Sequence, residues 1–236
     1  MIGFWNYTMI LTYMSLLSAV SGIIISLHDT GHPYMGMFFL LICGLCDTFD
    51  GRVARTKKDR TPLEKEFGVQ VDSLSDLVAF GILPVCIGYA MLKVSPKYSE
   101  IPHISEVTGK YQWYPFVLAI IALFYVLAAM VRLAYFNATE EERAKTVVDG
   151  RPLYTGLPVT SAALIFPLIL VLDYAMRFEF SIVYFTIMAL VAFLFLGKFT
   201  FRKPTMKGVL IMIGIGAAEF IILLIIYIMH RINGHL

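Results

Sequence analysis

Long apolar stretches separated by short polar connections dominate the chain, and each stretch has roughly the length of a membrane-crossing helix. A helix needs about 20 predominantly apolar residues to cross the hydrocarbon core of a bilayer. Seven stretches approach this length, and they cover residues 8–27, 34–55, 66–92, 115–137, 157–175, 180–197 and 207–230. The pattern predicts an all-α fold, a polytopic membrane helical bundle in which residues 1–236 form a single integral membrane domain.

The composition agrees with this prediction. Of the 236 residues, 58% are hydrophobic and 15% are charged, which excludes an ordinary soluble domain. We therefore expect a lipid bilayer around the chain and no nucleic-acid partner. Residues Met1–Asn6 contain no lysine or arginine, and the first apolar stretch is long enough to span, so we expect no cleavable signal peptide.

The distribution of basic residues predicts the orientation in the membrane. If the N-terminus is cytosolic, thirteen basic residues fall in cytosolic connections: Arg52, Arg55, Lys57, Lys58, Arg60, Lys65, Arg143, Lys145, Arg151, Lys198, Arg202, Lys203 and Lys207. The opposite side then has Lys97, Lys110, Arg177 and Arg231, with Lys93 at the border. Cytosolic connections are typically enriched in Lys and Arg, so this orientation is favoured.

Four aspartates stand where the second and third apolar stretches meet their basic connection: Asp47, Asp50, Asp72 and Asp76. Charged residues at the edge of a membrane span are unfavourable without a partner and usually functional. Four carboxylates brought together would repel one another unless a cation or protons compensate the charge. Oxygen ligands suit Mg²⁺ or Mn²⁺, and two such cations commonly serve phosphoryl chemistry. We therefore predict a site for two divalent cations.

Helical spacing supports this site and leaves room for a substrate. If both segments are helical, Asp47, Asp50, Gly51 and Ala54 share one face, while Gly68, Asp72 and Asp76 follow one another at intervals of four. The small residues Gly51, Ala54 and Gly68 then admit a bulky substrate beside the carboxylates. Arg52 or Arg55 could pair with phosphate groups of that substrate.

The order Asp-x2-Asp-Gly-x2-Ala-Arg followed by Gly-x3-Asp-x3-Asp resembles the signature of the CDP-alcohol phosphotransferases, membrane enzymes that move a phosphoalcohol from a CDP-linked donor to a second alcohol. Three further segments, 72–84, 132–137 and 156–158, are similar to the membrane-type phosphatidylserine synthases of bacteria and archaea. The resemblance implies a six-span core over about residues 8–197. We take the stretch at 207–230 as an additional C-terminal span.

The resemblance also implies an activity and a set of site residues. The reaction would convert CDP-diacylglycerol and L-serine into phosphatidylserine and CMP at the cytosolic face of a prokaryotic cell membrane. The implied roles are metal binding by Asp47, Asp50, Asp72 and Asp76, a catalytic base at Asp76, CDP or phosphate binding by Asp50, Gly51, Ala54, Arg55 and Gly68, and acceptor or headgroup binding by Arg132, Asn137 and Arg151.

Two alternative functions remain at the level of sequence. Within the same family, the acceptor could be inositol phosphate, glycerol phosphate or another small alcohol. From another class, a cation transporter could use carboxylates in the membrane, but transporters tend to place them near the midplane within repeated halves. The chain has no detectable repeat, and its motif carboxylates are predicted to cluster at one face.

Three further features of the sequence bear on the predicted spans and their assembly. The connection Thr56–Phe67 is longer than family members commonly have, and its Thr61-Pro62-Leu63-Glu64 sequence predicts a capped helix start; whether Lys57, Lys58 or Arg60 acts at the site stays open. Pro84 should kink the third span beyond Asp76.

Glu219 lies among small residues in the last span, which predicts close packing on a neighbouring helix. We expect a homodimer in which this helix could take part.

Overall fold

A computed structural model describes residues 3–28, 32–94, 113–139, 147–148, 151–176, 181–202 and 206–232. Several of the basic residues used to predict the orientation lie outside these ranges, namely Lys97, Lys110, Arg143, Lys145, Arg177 and Lys203. For Arg151 the description is confined to the backbone.

Eight α-helices form the described part of the chain: α1 Ile10–Leu27, α2 Pro33–Ala54, α3 Pro62–Asp76, α4 Leu83–Val94, α5 Trp113–Ala138, α6 Ala162–Met176, α7 Ser181–Leu196 and α8 Met206–Ile232. A π-helical turn, Leu77–Ile82, joins α3 and α4 into one long helix. Single 3₁₀ turns, Tyr7–Met9 and Val159–Ser161, precede α1 and α6. The predicted all-α membrane architecture is therefore confirmed, with one long helical segment for each predicted span.

Four of these segments are long and apolar enough to cross a membrane by length and composition: Tyr7–Leu27, Pro62–Val94, Pro115–Ala138 and Gly208–Ile226. Two shorter apolar helices, Val159–Asp173 and Ser181–Leu196, accompany them. Helix α2 has 22 residues but carries Asp47, Asp50 and Arg52 near its C-terminal end, which lowers its apolar character. The chain is therefore an integral membrane protein.

Three short strands, which the hydropathy pattern does not predict, link two connections. They are β1 Val147–Val148, β2 Arg151–Thr155 and β3 Thr200–Arg202, paired antiparallel in the order β1-β2-β3. Gly156 ends β2 with a φ of 72°, a conformation that glycine adopts without strain. Its N–H donates to the Phe199 carbonyl at 2.7 Å, so the turn before α6 is tied to the segment after α7.

Hydrogen bonds show which connections share an end of the bundle. Asn6, before α1, donates to Glu64 at the start of α3 at 2.5 Å. Asn137, at the end of α5, donates to Ser73 of α3 at 2.7 Å. The N-terminal segment, the α2–α3 connection and the end of α5 therefore lie together, on the side where the motif aspartates stand.

The bundle core is built from small residues and aromatic rings. A β-carbon built on Gly22 of α1 would stand 2.8 Å from Cβ of Phe39 on α2, so glycine allows these two helices to approach closely. Deeper in the core, the buried rings of Tyr125, Phe166 and Tyr184 pack at centroid distances of 5.7 and 4.9 Å. This packing fixes α5, α6 and α7 around the third span.

The backbone of the third span is irregular immediately after Asp76. The π turn Leu77–Ile82 lies between that aspartate and Pro84. Because proline has no N–H, the carbonyl of Phe80 four residues earlier loses its usual helical donor. The buried hydroxyl of Tyr125 donates to that carbonyl at 2.7 Å. A π turn therefore ends directly before the turn that holds Pro84, and a side chain from α5 provides a donor for the Phe80 carbonyl. The kink expected at Pro84 stays a prediction.

Helix α8 packs within its own chain. A β-carbon on Gly216 would stand 3.3 Å from Leu164 of α6, and the rings of Phe220 and Phe38 of α2 meet at 5.0 Å. Glu219 is 4% exposed on this side of the helix. The prediction of close packing against a neighbour therefore fits an intramolecular neighbour.

Candidate metal centre and active site

Three carboxylates from two helices converge at the end of α2 and the middle of α3. One oxygen atom from each of Asp47, Asp50 and Asp72 lies within 4.8 Å of the others. Asp50 is 7% exposed, and Asp47 and Asp72 are partly exposed, so part of the group is accessible. The helical spacing explains this geometry, because Asp47 and Asp50 face the same direction one turn apart on α2.

Asp76 lies near this trio but does not belong to it. It is one turn after Asp72 on α3, is 7% exposed, and interacts electrostatically with all three other aspartates. Its oxygen atoms are not part of the group that falls within 4.8 Å. The structure therefore separates one carboxylate from three that face each other.

Helix α1 supports the trio through a residue that the sequence analysis does not single out. The Thr12 hydroxyl donates to Oδ2 of Asp50 at 3.4 Å. The carbonyl of Thr12 in turn accepts a hydrogen bond of 3.2 Å from Ser75 of α3. Thr12 is buried, so these contacts join α1, α2 and α3 at the site. The only signal in the sequence is a threonine in an otherwise apolar first turn.

The trio fits a divalent metal. All three donors are carboxylate oxygens, which hard cations such as Mg²⁺ and Mn²⁺ prefer. The ion pair Lys57–Glu64, with its charged atoms 2.8 Å apart, lies at the start of α3 and involves none of the three aspartates. A bound cation would compensate the clustered negative charge and could polarise a phosphate oxygen.

Gly51 and Ala54 lie beside the trio on α2, both partly exposed. The nearest atoms to a β-carbon built on Gly51 would be Nη1 and Nη2 of Arg55, at 3.6 and 3.8 Å. Arg55 itself is exposed. The structure therefore brings the guanidinium group of Arg55 over Gly51, next to Asp50.

Gly68 on α3 has a similar neighbour that the motif does not include. A β-carbon on Gly68 would stand 2.6 Å from Nη2 of Arg60 and 3.0 Å from the Met9 methyl group. The Arg60 Nη2 also donates to the Glu64 carbonyl at 3.2 Å. In this structure, the space over Gly68 is occupied by Arg60 and by the start of α1.

A small polar network holds the start of α3. Thr61 caps the helix by accepting from the Glu64 N–H at 3.1 Å, as the capping pattern predicts. Oε1 of the buried Glu64 accepts from Lys57 at 2.8 Å and from Asn6 at 2.5 Å. The hydrogen bond to Glu64 raises the pKa of the Lys57 ammonium group. The network ties the N-terminal segment to the connection above the aspartates.

The three acceptor candidates occupy different positions. Asn137 donates to Ser73, which directly follows Asp72, so Asn137 lies close to the metal-ligand helix. Arg132 is 5% exposed, donates from Nε to the Leu157 carbonyl at 3.1 Å and stacks over Phe136 at 5.0 Å. Arg151 is on strand β2, where only its backbone is described. The structure thus places Arg132 at the turn before α6 rather than at the trio.

Comparison with known proteins identifies similar sequences over most of the chain. A family model described as CDP-alcohol phosphatidyltransferase matches residues 5–196. This match contains all four aspartates and the six helical segments before α8.

Curated relatives are similar at low identity over about two thirds of the chain. The chain is 32% identical over 161 residues to CDP-diacylglycerol–serine O-phosphatidyltransferase of Saccharomyces cerevisiae, covering 67% of this chain and 50% of the relative. It is 29% identical to the enzyme of that name from Helicobacter pylori, over 62% of this chain and 50% of the relative. It is 30% identical to archaetidylserine synthase of Methanothermobacter thermautotrophicus, over 64% of this chain and 52% of the relative. The chain spans about half the length of the curated relatives it matches.

Proposed function

Because the chain belongs to the CDP-alcohol phosphatidyltransferase family, we propose that it is a CDP-diacylglycerol–serine O-phosphatidyltransferase. It would convert CDP-diacylglycerol and L-serine into phosphatidylserine and CMP. The observation that carries this proposal is the convergence of Asp47, Asp50 and Asp72 within 4.8 Å in a chain of this family. Relatives named for serine transfer support the choice of acceptor.

Asp47, Asp50, Asp72 and Asp76 would hold two Mg²⁺ or Mn²⁺ ions. When bound, these cations would supply positive charge for the diphosphate of the donor and for the leaving CMP. Gly51 and Ala54 would leave space for the nucleotide, and Arg55, whose guanidinium group lies over Gly51, would pair with a phosphate. Gly68 would contribute to CDP or phosphate binding on the α3 side, where the space over it holds the Arg60 side chain.

Asp76 would act as the general base. It is buried and lies outside the trio, so a carboxylate oxygen remains for a proton. The serine hydroxyl oxygen would form a bond to the phosphorus that carries diacylglycerol, and the bond from that phosphorus to the CMP oxygen would break. Asp76 would accept the hydroxyl proton. The acyl chains would stay in the bilayer throughout, which explains a site at the membrane face.

Arg132, Asn137 and Arg151 would bind the acceptor or the headgroup. Asn137 is the best supported of the three, because its hydrogen bond to Ser73 holds it beside Asp72. Arg132 donates to the Leu157 carbonyl, so its contribution would be to position the turn before α6.

The remaining proposals concern location and assembly. We propose a prokaryotic cell membrane with the aspartates facing the cytosol, supported by the excess of basic residues on that side. A six-span core over about residues 8–197 and an additional span at α8 agree with the extent of the family match. A homodimer is also proposed, although α8 uses its small face within the chain, so the interface would involve other surfaces.

The test is CMP release by the purified protein in detergent, with CDP-diacylglycerol and Mg²⁺ or Mn²⁺. L-serine is compared with inositol phosphate, glycerol phosphate and no acceptor, and each reaction is repeated with a chelator. We expect release that requires both the metal and serine.

Other outcomes would change the proposal in defined ways. Release with inositol phosphate or glycerol phosphate but not serine would retain the family chemistry and overturn the serine assignment. No release with any acceptor, from folded protein, would overturn the transferase proposal and favour the alternative of a cation transporter.

A further inference from the structure

Each of the two motif glycines is covered by an arginine from the connection between α2 and α3. Over Gly51 the neighbour is Arg55, with Nη1 at 3.6 Å from the position of a β-carbon. Over Gly68 it is Arg60, with Nη2 at 2.6 Å from the corresponding position. The motif includes Arg55 but not Arg60, which lies in the longer connection Thr56–Phe67.

The guanidinium group of Arg60 has a donor without a hydrogen-bond partner and a charge without a described counterion. Nη2 donates to the Glu64 carbonyl, but the buried Nε has no hydrogen-bond partner. The carboxylate of Glu64 is occupied by Lys57 and Asn6 instead. Within the described ranges no carboxylate forms a salt bridge with Arg60. A buried donor without a partner is unfavourable, and an anion would satisfy it.

The spacing of residues on α3 and around the start of α1 places this group about one helical turn from the carboxylate trio. On α3, Gly68 and Asp72 are four residues apart and lie on one face, so Arg60 stands about one helical turn from Asp72. Met9, in the 3₁₀ turn directly before α1, contacts the same space over Gly68, while Thr12 of α1, three residues later, contacts Asp50. Along both segments, the position of Arg60 is therefore separated from the trio by about one helical turn.

We propose that Arg60 is a second phosphate-binding arginine, which contacts the diphosphate of the CDP-linked donor from the α3 side while Arg55 contacts it from the α2 side. This inference rests on the proposed function, since it assumes a CDP-linked donor held at the trio. A guanidinium group can donate two parallel hydrogen bonds to a phosphate, and Arg60 has the free Nε to do so. A side chain at position 68 would displace the end of Arg60 from this place.

The test measures binding of CDP and of inorganic pyrophosphate to purified protein by calorimetry at a fixed Mg²⁺ concentration. Arg60→Gln removes the charge but keeps a donor for the Glu64 carbonyl. We expect it to weaken both ligands by the same factor, about 10- to 100-fold. The affinity of Arg60→Lys for both ligands should lie between those of Arg60→Gln and the unmodified protein. Lysine keeps the charge but cannot donate two parallel hydrogen bonds as a guanidinium group does.

The matched control is Lys65→Met, which removes one positive charge from an exposed position on the first turn of α3. It should bind both ligands within about twofold of the unmodified protein, because exposed charges interact weakly. Mn²⁺ binding without nucleotide should be the same in all variants, which shows that the trio is intact.

The possible results separate this inference from the proposed function. If the unmodified protein binds CDP and Arg60→Gln binds it equally well, the role of Arg60 is overturned and the proposed function stands. If Arg60→Gln weakens CDP but not pyrophosphate, Arg60 contacts the nucleoside and the diphosphate assignment is wrong. If the unmodified protein binds no CDP in the presence of Mg²⁺, both proposals fail.

Discussion

The aspartate trio and Glu219 are both acidic groups in apolar helices, but their surroundings and their exposure differ. Asp47, Asp50 and Asp72 face one another across two helices, and two of them are partly exposed. Glu219 is 4% exposed, and its Oε2 has no hydrogen-bond partner. It faces the α2–α6 side of α8, where the neighbouring contacts are made by Phe220 and Gly216.

The difference shows that the number and arrangement of carboxylates, rather than their presence in a membrane helix, indicate chemistry. Three carboxylates within one group can share a cation, and their opening admits a ligand. A single carboxyl group enclosed by helix packing offers one ligand and no described opening. We therefore propose a chemical function for the trio and none for Glu219.

The largest effect should come from removing a member of the trio. Asp72→Asn keeps the size of the side chain but removes a negative charge from the metal site, so CMP release should fall by about 10²–10³-fold or more. Mn²⁺ binding, followed by its electron paramagnetic resonance signal, should weaken in parallel.

The matched variant is Glu219→Gln, which makes the same chemical change in α8. Its CMP release and Mn²⁺ affinity should stay within about twofold, as expected for a site not involved in chemistry. A loss of Mn²⁺ binding in Glu219→Gln, or full activity in Asp72→Asn, would remove the distinction between the two regions.

An intermediate effect should follow loss of the contact from α1. Thr12→Val removes the hydroxyl that donates to Asp50 at 3.4 Å, while keeping the shape of the side chain. Groups that orient metal ligands typically contribute about 10- to 100-fold in affinity, and this long hydrogen bond should lie at the lower end. Titration with Mn²⁺ would measure the change.

The control for Thr12 is Thr186→Val on α7. The hydroxyl of Thr186 is exposed and donates to the Ile182 carbonyl of its own helix at 2.8 Å. Its loss should leave Mn²⁺ affinity unchanged. If Thr12→Val also leaves the affinity unchanged, α1 does not orient the trio and its contact with Asp50 is incidental.

The smallest effect on the metal site should accompany Tyr125→Phe, which acts on the helix beyond Asp76. The variant leaves the buried Phe80 carbonyl without its donor, which should lower the free energy of unfolding by about 1–3 kcal/mol. The midpoint of thermal unfolding in detergent would report this loss, whereas Mn²⁺ affinity should change little.

Tyr135→Phe provides the comparison on the same helix, because Tyr135 is exposed. Its unfolding midpoint should match that of the unmodified protein. Equal midpoints for the Tyr125 and Tyr135 variants would show that the π turn after Asp76 does not depend on the hydroxyl of Tyr125.

The spans and the carboxylate trio could be predicted from the sequence for simple physical reasons. The bilayer fixes the length of an apolar helix, so hydropathy alone locates segments such as α1 and α5. Helical periodicity fixes which residues share a face, so the spacing of Asp47 and Asp50 is enough to place them together. The capped start of α3 at Thr61 follows from local chemistry in the same way.

Only the tertiary structure decided which residues from other helices reach the site. The contact of Thr12 with Asp50, the cover of Arg60 over Gly68 and the donation of Tyr125 to Phe80 all join segments whose spacing in sequence carries no periodic signal. The β2–β3 pairing and the burial of Glu219 within the chain depend in the same way on how helices meet. Such contacts are selected by packing of whole helices against one another, and packing is a property of the assembled bundle rather than of any single stretch.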